Sequence, residues 1–397
     1  MADLFEKCSQ GKSARAKQAI EEGWYPYFIA IESGADTRVV IHGEEKIMIG
    51  SNNYLGLTQD PRVKQAAKDA IDRFGSGCTG SRFLNGTLSI HEELEERLAD
   101  FMNMEAVLVF STGFQTNQGT ISTLVGRKDL LIGDAENHAS IVDGARLAFG
   151  RFLKYRHNDM ADLDKVLTLN NSNNGGTLVV TDGVFSMGGD IVNLPELLKV
   201  AHKHGARVMV DDAHSVGVLG DTGAGTAEHY HLIEEVDLVM GTFSKSFASL
   251  GGFIAGETDV IRHIKHNARA LIFSASPPPA AVATVLACLD ILQKEPERLE
   301  KLRYNTTKML KGYSDLGFNT GNSETPIIPI HIGEEEKTFM FWRLLKEYGV
   351  ICNPVISPAV PQNEALLRTS YMATHSEEEL DIVLDTFEKV GKKIGII

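Results

Sequence analysis

The sequence predicts an α/β protein with a mainly parallel central sheet, helices on both faces of that sheet, and a smaller α+β domain at the C-terminal end. Between Leu130 and Val218, short apolar runs alternate with segments of helical periodicity, which is typical of a parallel sheet covered by helices. Three consecutive prolines at 277–279 then force an extended corner and mark a domain boundary. The predicted units are an N-terminal arm (1–56), a large domain (57–279) and a small domain (280–397).

Composition and charge exclude several classes of protein. A formal net charge of −14 over 397 residues argues against a general nucleic-acid or anionic-membrane binder. The four cysteines form no CxxC pair, so we predict free thiols. No carboxylates stand at ligand spacing from four histidines, His202, His204, His229 and His231, so we predict no metal. The polar N-terminus is no signal peptide, and the longest apolar run is too short to span a bilayer. We therefore expect a cytoplasmic enzyme without a transmembrane segment, with peripheral membrane contact left open.

The sequence pattern of the N-terminal third predicts an arm, followed by the first helices of the large domain. Residues 3–22 have the pattern of a charged amphipathic helix, and residues 37–43 and 46–50 read as a hairpin. After a turn-rich bridge, Pro61 opens a helix that runs to Phe74, because proline is favoured in the first helical turn.

The glycine-rich stretch at 75–80 satisfies the GxGxxG pattern of dinucleotide-binding proteins. That pattern requires a strand before it and a helix that opens at its last glycine. Here a predicted helix precedes the stretch and SRFLNGT follows it. We therefore reject a dinucleotide site and predict a loop that brings backbone close to another site.

Polar residues follow two apolar runs of the predicted sheet. Asp211 and His214 follow the run at 208–210, and Thr242, Ser244 and Lys245 follow the run at 236–240. In an open α/β sheet the carboxyl ends of strands converge on one crevice, where ligands bind. We therefore expect these five side chains to meet.

This set of groups suits pyridoxal phosphate (PLP). A lysine forms a Schiff base with the aldehyde, and Asp211 pairs with the pyridine nitrogen and favours its protonated form. Thr242 and Ser244 can bind the phosphate, and His214 can reach the ring oxygen. A second phosphate element is the helix predicted after the strand at 107–110, whose first residues Gly113 and Phe114 offer free N–H groups. For a lone lysine, an exposed surface position would be the default interpretation.

Four strings carry a resemblance to a known family: VMVDDAHSVGVLG, GTFSKS, FGSGCTGSRFLNGT and DAENHASIVDG. Together they resemble the α-oxoamine synthases, a family of fold-type-I PLP-dependent transferases. The resemblance extends from YPYF near residue 25 to the last helix. Within the family, GSRFLNGT and FSTGFQTN are most similar to the bacterial members that use serine.

The resemblance implies further site residues. His138, which alone would read as a helix cap or core histidine, is implied to stack on the PLP ring, while Ala213 packs on the opposite face. Arg368 and Ser81 are implied to lie at the substrate carboxylate. Ser274 and Ala275 are implied to reach the phosphate from a neighbouring subunit, so the family implies a homodimer with shared active sites. One of Asn52 and Asn53 is implied to lie near the substrate.

The implied reaction is the decarboxylative condensation of an amino acid with an acyl thioester, with Lys245 as the general base. L-serine and palmitoyl-CoA would give 3-ketodihydrosphingosine, the first step of sphingolipid synthesis. Several alternatives stay open: cysteate or glycine as the amino acid, acyl carrier protein as the donor, and an aminotransferase that uses the same lysine and aspartate.

Overall fold

Strands and helices alternate along most of the chain in the computed structural model, which describes residues 3–170 and 175–397. The strands are β1 (Arg38–Ile41), β2 (Glu44–Met48), β3 (Ala106–Phe110), β4 (Leu130–Asp134), β5 (Arg151–Tyr155), β6 (Thr177–Asp182), β7 (Arg207–Asp211), β8 (Leu238–Thr242), β9 (Gly252–Gly256), β10 (Ile327–Gly333), β11 (Val350–Ile351), β12 (Asn353–Val355) and β13 (Ala365–Ser370). The α-helices are α1 (Lys12–Glu21), α2 (Pro61–Phe74), α3 (Ser89–Met102), α4 (Gly113–Leu124), α5 (Ala139–Leu147), α6 (Met160–Asn170), α7 (Leu194–Lys203), α8 (Thr226–His229), α9 (Thr258–Asn267), α10 (Arg269–Ile272), α11 (Pro279–Lys294), α12 (Glu297–Leu316), α13 (Glu335–Glu347) and α14 (Glu377–Ile394). Across these described ranges, no helix has both the length and the apolar character that a bilayer crossing requires.

Seven strands form the central sheet, in the order β3-β9-β8-β7-β6-β4-β5. The pairs from β8 to β5 are parallel, and only β9 runs against its neighbours β3 and β8. The predicted mainly parallel sheet is therefore confirmed. Its strand order places β7 beside β8, so the polar residues that follow these two strands emerge next to one another.

Both faces of this sheet are buried, because successive side chains of a strand point to opposite faces. Val208 and Val210 belong to the core on one face, together with residues of α3, α7 and α11. Met209, between them, belongs to the core on the other face, with residues of α4, α5 and α9. The near-continuous apolar runs of the sequence are thus explained by helices on both faces.

A second core holds the C-terminal part of the chain. Helices α12, α13 and α14 pack there against the antiparallel sheet β10-β13-β12, with Tyr313, Phe341 and Phe387 in contact at the centre. Helix α11 contributes Leu289 to the first core and lies against α2, although the sequence assigned it to the small domain. The boundaries of the three predicted units themselves stay a prediction.

The N-terminal segment contributes to the second core. The hairpin β1-β2 forms as predicted, and β2 also pairs in parallel with β11, so that Ile47 lies opposite Val350. The single helix predicted over residues 3–22 is divided: a 3₁₀ turn precedes α1, and Gly11 separates them with a φ of 55°. Helix α2 begins at Pro61 as predicted and ends just before the glycine-rich loop.

Candidate active site

The carboxyl ends of the central strands surround a cavity of about 260 Å³, which we call the inner cavity. Its walls come from the strand ends of β6, β7 and β8 and from the N-termini of α4 and α5. The predicted residues that line it are Gly113, Phe114, His138, Asp211, Ala213, His214, Thr242, Ser244 and Lys245. The residues that were predicted to follow the strand ends therefore meet around one cavity.

Lys245 is the central amine of the inner cavity and follows strand β8. Burial lowers the pKa of its ammonium group from 10.5 to about 8, against the opposing effect of the Asp211 carboxylate. The positive charge of Arg368 adds to the lowering. A larger fraction of this lysine is therefore neutral, and nucleophilic or basic, near neutral pH.

Asp211 is held in place by two hydrogen bonds. Asn117 Nδ2 donates to Oδ2 at 2.6 Å, and the backbone N–H of Ala213 donates to Oδ1 at 3.0 Å. Asn117 Nδ2 also reaches Ser140 Oγ at 2.8 Å, and that hydroxyl lies 2.7 Å from His138 Nδ1. The sequence analysis missed Asn117 and Ser140, but Asn117 stands one helical turn after Gly113, a spacing that puts both on one face of α4.

His138 both caps a helix and lines the inner cavity. Its ring Nδ1 accepts from the backbone N–H of Ser140 at 3.3 Å, and this bond caps α5. The backbone N–H of His138 donates to Asp182 at 3.2 Å. Burial lowers the pKa of His138, so the ring is neutral at physiological pH. Asp182 was not predicted; burial and then the Asp211 carboxylate raise its pKa well above the usual range. The neutral forms of both His138 and Asp182 are therefore favoured beside Asp211.

His214 is fixed by a residue far away in the sequence. The Tyr54 hydroxyl lies 2.6 Å from His214 Nδ1, and both side chains are buried. Burial raises the pKa of Tyr54 and lowers that of His214 well below its usual value, so the phenol keeps its proton and the imidazole is neutral. Tyr54 then donates to Nδ1, which leaves the ring proton on Nε2. The sequence analysis did not predict this contact.

The N-terminus of α4 forms the other end of the inner cavity. Thr112 caps this helix by accepting from the N–H of Gln115 at 3.1 Å. A side chain at Gly113 would come within 2.7 Å of Thr242 Oγ1, so only glycine lets the helix approach that hydroxyl. Thr242 and Ser244 lie 3.0 Å apart by their hydroxyls. Free N–H groups, a helix dipole and two hydroxyls form an arrangement that fits a phosphate.

A larger cavity of about 850 Å³ opens from the same place, and we call it the outer cavity. It shares His138, His214 and Lys245 with the inner cavity. Its other walls come from α1, the aromatic segment 24–27, Phe339 and the segment 353–359. Arg368 and Asn52 also line it, whereas Asn53 is engaged elsewhere, donating to Thr58 at 2.9 Å.

In the part of the chain that the structure describes, three predicted site residues line neither cavity: Ser81, Ser274 and Ala275. Ser81 is buried, and its hydroxyl has no hydrogen-bond partner within the described ranges. Ser274 accepts from Gln115 Nε2 at 3.1 Å, and Ser111 donates to the Ala275 carbonyl. The implied contribution of Ser274 and Ala275 from a neighbouring subunit therefore stays a prediction, and so does the implied place of Ser81 at the substrate carboxylate.

Comparison with known proteins identifies the family. The aminotransferase class I and II family matches residues 44–387. The chain belongs to this family. Within the family, a serine palmitoyltransferase of Sphingobacterium spiritivorum is 52% identical over 375 residues, which cover 94% of each chain. A serine palmitoyltransferase of Bacteriovorax stolpii is 51% identical, covering 96% of this chain and 91% of its own.

Solved structures of the family confirm the predicted fold. A serine palmitoyltransferase structure with a PLP internal aldimine superimposes with a TM-score of 0.96 at 38% identity, with each chain fully covered. The resemblance to the α-oxoamine synthases, stated from four strings of sequence, is confirmed by these relatives, and so is the fold-type-I architecture.

Proposed function

We propose that this protein is a PLP-dependent acyltransferase that condenses L-serine with a long-chain acyl thioester, palmitoyl-CoA, to give 3-ketodihydrosphingosine in sphingolipid synthesis. The observation that carries the proposal is the junction of the two cavities at Lys245: the inner cavity, which is suited to the cofactor, opens directly into a large cavity that has aromatic walls and is also lined by Arg368. The relatives named serine palmitoyltransferase support it.

The groups that line the inner cavity fit the cofactor. Lys245 supplies the amine for the aldehyde, Asp211 supplies the carboxylate for the ring nitrogen, and the N-terminus of α4 with Thr242 supplies donors for the phosphate. When bound, PLP links covalently to an amine and withdraws electrons from the adjacent carbon. His138 would supply a neutral ring to the wall of the cofactor site.

The side chains at the junction bind the amino acid and move its proton. Arg368 binds the carboxylate, because a guanidinium presents donors that match two oxygens. The neutral amine of Lys245 accepts the Cα proton and later returns it. In the overall reaction a bond forms between Cα and the acyl carbon while the acyl C–S bond breaks and the thiol leaves. The Cα–carboxylate bond then breaks with release of CO₂, and a proton takes the vacated position.

The outer cavity suits the acyl chain. Trp24, Tyr27 and Phe339 supply apolar surface, and the Trp24 and Phe339 rings pack 5.4 Å apart. At the wall formed by α1, Arg15 pairs with Glu335 at 2.7 Å, so these two charges neutralise one another. The volume lies in the range of about 300–1,000 Å³ that is usual for small-molecule sites.

We also propose that two copies of the chain share each active site. Exposed apolar side chains support this: Phe83, Leu84 and Phe273 lie on two loops that are joined by a hydrogen bond from Ser276 N to Gly80 O at 2.9 Å. Grouped exposed apolar residues are typical of an interface. Burial of these loops against a second copy would carry Ser274 and Ala275 to its phosphate site.

The test is a panel of serine, cysteate, glycine and alanine, each with palmitoyl-CoA or palmitoyl-acyl carrier protein, followed by thiol and CO₂ release. We expect release of both with serine and palmitoyl-CoA, and none with Lys245→Ala. Preference for cysteate would keep the reaction type and overturn serine as the substrate. Transfer of nitrogen to a keto acid without thiol release would establish an aminotransferase instead.

A further inference from the structure

A cluster outside both cavities has no part in the proposed chemistry. His157 lies between two carboxylates, with Nδ1 3.0 Å from Asp134 Oδ1 and Nε2 3.0 Å from Asp190 Oδ2. Glu136 adds a third carboxylate at 3.9 Å. Asp134 is fully buried at the end of β4, and the imidazole is 27% exposed. The ring therefore bridges the central sheet and the segment that contains Asp190.

The two hydrogen bonds require a proton on each ring nitrogen. Burial opposes a charge on His157, but the hydrogen bonds to Asp134 and Asp190 and the nearby carboxylates outweigh it and raise the pKa to about 10. The ring also packs edge-on against Phe185 at 4.4 Å between centroids. The bridge is thus a charged, doubly bonded and sterically fixed contact.

Asp190 lies in a closed loop that spans residues 183–191. A bridge between Val184 and Ile191 closes this loop, and the N–H of Phe185 donates to the Asp190 carbonyl at 3.0 Å. Asn158, next to His157, donates to the Ile191 carbonyl at 3.1 Å. Residues 157–158 therefore hold the C-terminal side of the loop through a side-chain and a backbone contact.

The loop reaches the active site. Val184 lines the inner cavity and Met187 lines the outer cavity. Between them, the Ser186 carbonyl accepts from Arg368 Nε at 2.6 Å. This bond fixes the guanidinium by the nitrogen nearest its stem, so a carboxylate can pair with the terminal nitrogens.

We propose that His157 is a positioning residue for amino-acid binding: through Asp190 it holds loop 183–191, and through the Ser186 carbonyl that loop orients Arg368. This inference rests on the proposed function, in which Arg368 binds the substrate carboxylate. It assigns to His157 an effect on recognition of the carboxylate alone.

The experiment measures equilibrium binding of two ligands to the PLP-loaded enzyme by absorbance titration. One ligand is L-serine, and the other is serinol, in which a hydroxymethyl group replaces the carboxylate. We expect His157→Gln to weaken serine binding about tenfold and to leave serinol binding unchanged, since coupled groups show effects of this size. The control is His204→Gln, which removes another histidine–aspartate pair, with Asp164 2.8 Å away, at the end of α7. This control should bind both ligands as the wild type does.

Two further variants keep the test decisive. Asp190→Ala removes the acceptor of the bond from His157 Nε2 and leaves the pair between His157 and Asp134, so it should give the same selective loss even if His157→Gln misfolds. Arg368→Ala should weaken serine binding, and adding His157→Gln to it should cause no further loss.

The outcomes separate the two hypotheses. Unchanged serine binding in Arg368→Ala would overturn the role of this arginine in the proposed function. If Arg368→Ala weakens serine binding but His157→Gln and Asp190→Ala do not, only the positioning inference fails. Equal losses for serine and serinol in the His157 variant would show a general distortion and would also overturn it.

Discussion

The inner and outer cavities meet at Lys245 but are built in different ways. The inner cavity is formed by residues that lie between positions 112 and 251, most of them at strand ends or in the helix starts and turns that follow. Its polar groups hold one another. The outer cavity gathers α1, the aromatic segment 24–27, Phe339 and the segment 353–359 from opposite ends of the chain. Under the proposed function, the sheet topology therefore determines the chemistry, whereas substrate selection depends on segments that can change without altering the sheet.

The largest expected effect comes from Lys245, one of the three residues that line both cavities. Lys245→Ala removes the amine that binds the cofactor and moves the Cα proton, and we expect turnover to fall by about 10³-fold or more. The measurement is thiol release from palmitoyl-CoA with serine. Lys68→Ala, on the exposed side of α2, is the matched control and should keep wild-type turnover. Retained activity in Lys245→Ala would remove the basis for assigning chemistry to the inner cavity.

A smaller effect is expected within the inner cavity alone. Asp211→Asn keeps the size of the side chain but removes the negative charge that would stabilise a protonated ring nitrogen, so we expect exchange of the serine Cα proton with solvent to slow about 10²-fold. NMR in deuterated buffer measures this exchange without the acyl donor. The preference of the enzyme for acyl-chain length should not change, because Asp211 is not among the described residues that line the outer cavity. Exchange at the wild-type rate would contradict the role of this carboxylate.

A change confined to the outer cavity should alter selectivity and leave the chemistry intact. Ala19 is buried on the face of α1 that lines this cavity, so Ala19→Phe fills space there. We expect the ratio of kcat/KM for palmitoyl-CoA over octanoyl-CoA to fall about tenfold, while Cα-proton exchange stays unchanged. Ala14→Phe adds the same ring to the exposed side of the helix and is the control. An unchanged ratio in Ala19→Phe would place the acyl chain elsewhere.

The smallest effect concerns the protonation of Lys245, because charged residues of both cavities influence its pKa. Asp211 raises the pKa of this amine and Arg368 lowers it. In the cofactor-free protein, the rate of Lys245 dinitrophenylation should rise through a midpoint near pH 8, because only the neutral amine reacts. The midpoint should move down in Asp211→Asn and up in Arg368→Ala, as peptide mass spectrometry over a pH series would show. Shifts of the opposite sign would contradict this electrostatic balance.

The same contrast explains how much the sequence could predict. Asp211 and Lys245 stand directly after or close to apolar strands, so the topology of an α/β sheet was sufficient to place them together. Tyr54 could not be found in this way, since its bond to His214 joins two segments 160 residues apart and leaves no periodic signal. The break of the N-terminal helix at Gly11 depends on one residue with a positive φ, which propensity alone does not specify.

The packing of helices between the predicted units could not be predicted from the sequence either. Helix α11 follows the proline corner and was assigned to the small domain, but its apolar face lies against α2 in the first core. Apolar periodicity shows that a helix buries one face and does not say against which partner. Ser81, Ser274 and Ala275 came only from resemblance, and their proposed role depends on a second copy of the chain.

The pairing of β2 with β11 has a consequence for biosynthesis. Ile47 leaves the ribosome 303 residues before its partner Val350, and at about 5–20 residues per second this interval lasts about 15–60 s. During that time Val39, Ile41 and Ile47 have no completed core to enter, because α13 and α14 of the second core are synthesised later. The central sheet, whose strands all precede residue 257, can assemble first. The nascent hairpin is therefore a segment that a chaperone would protect during translation.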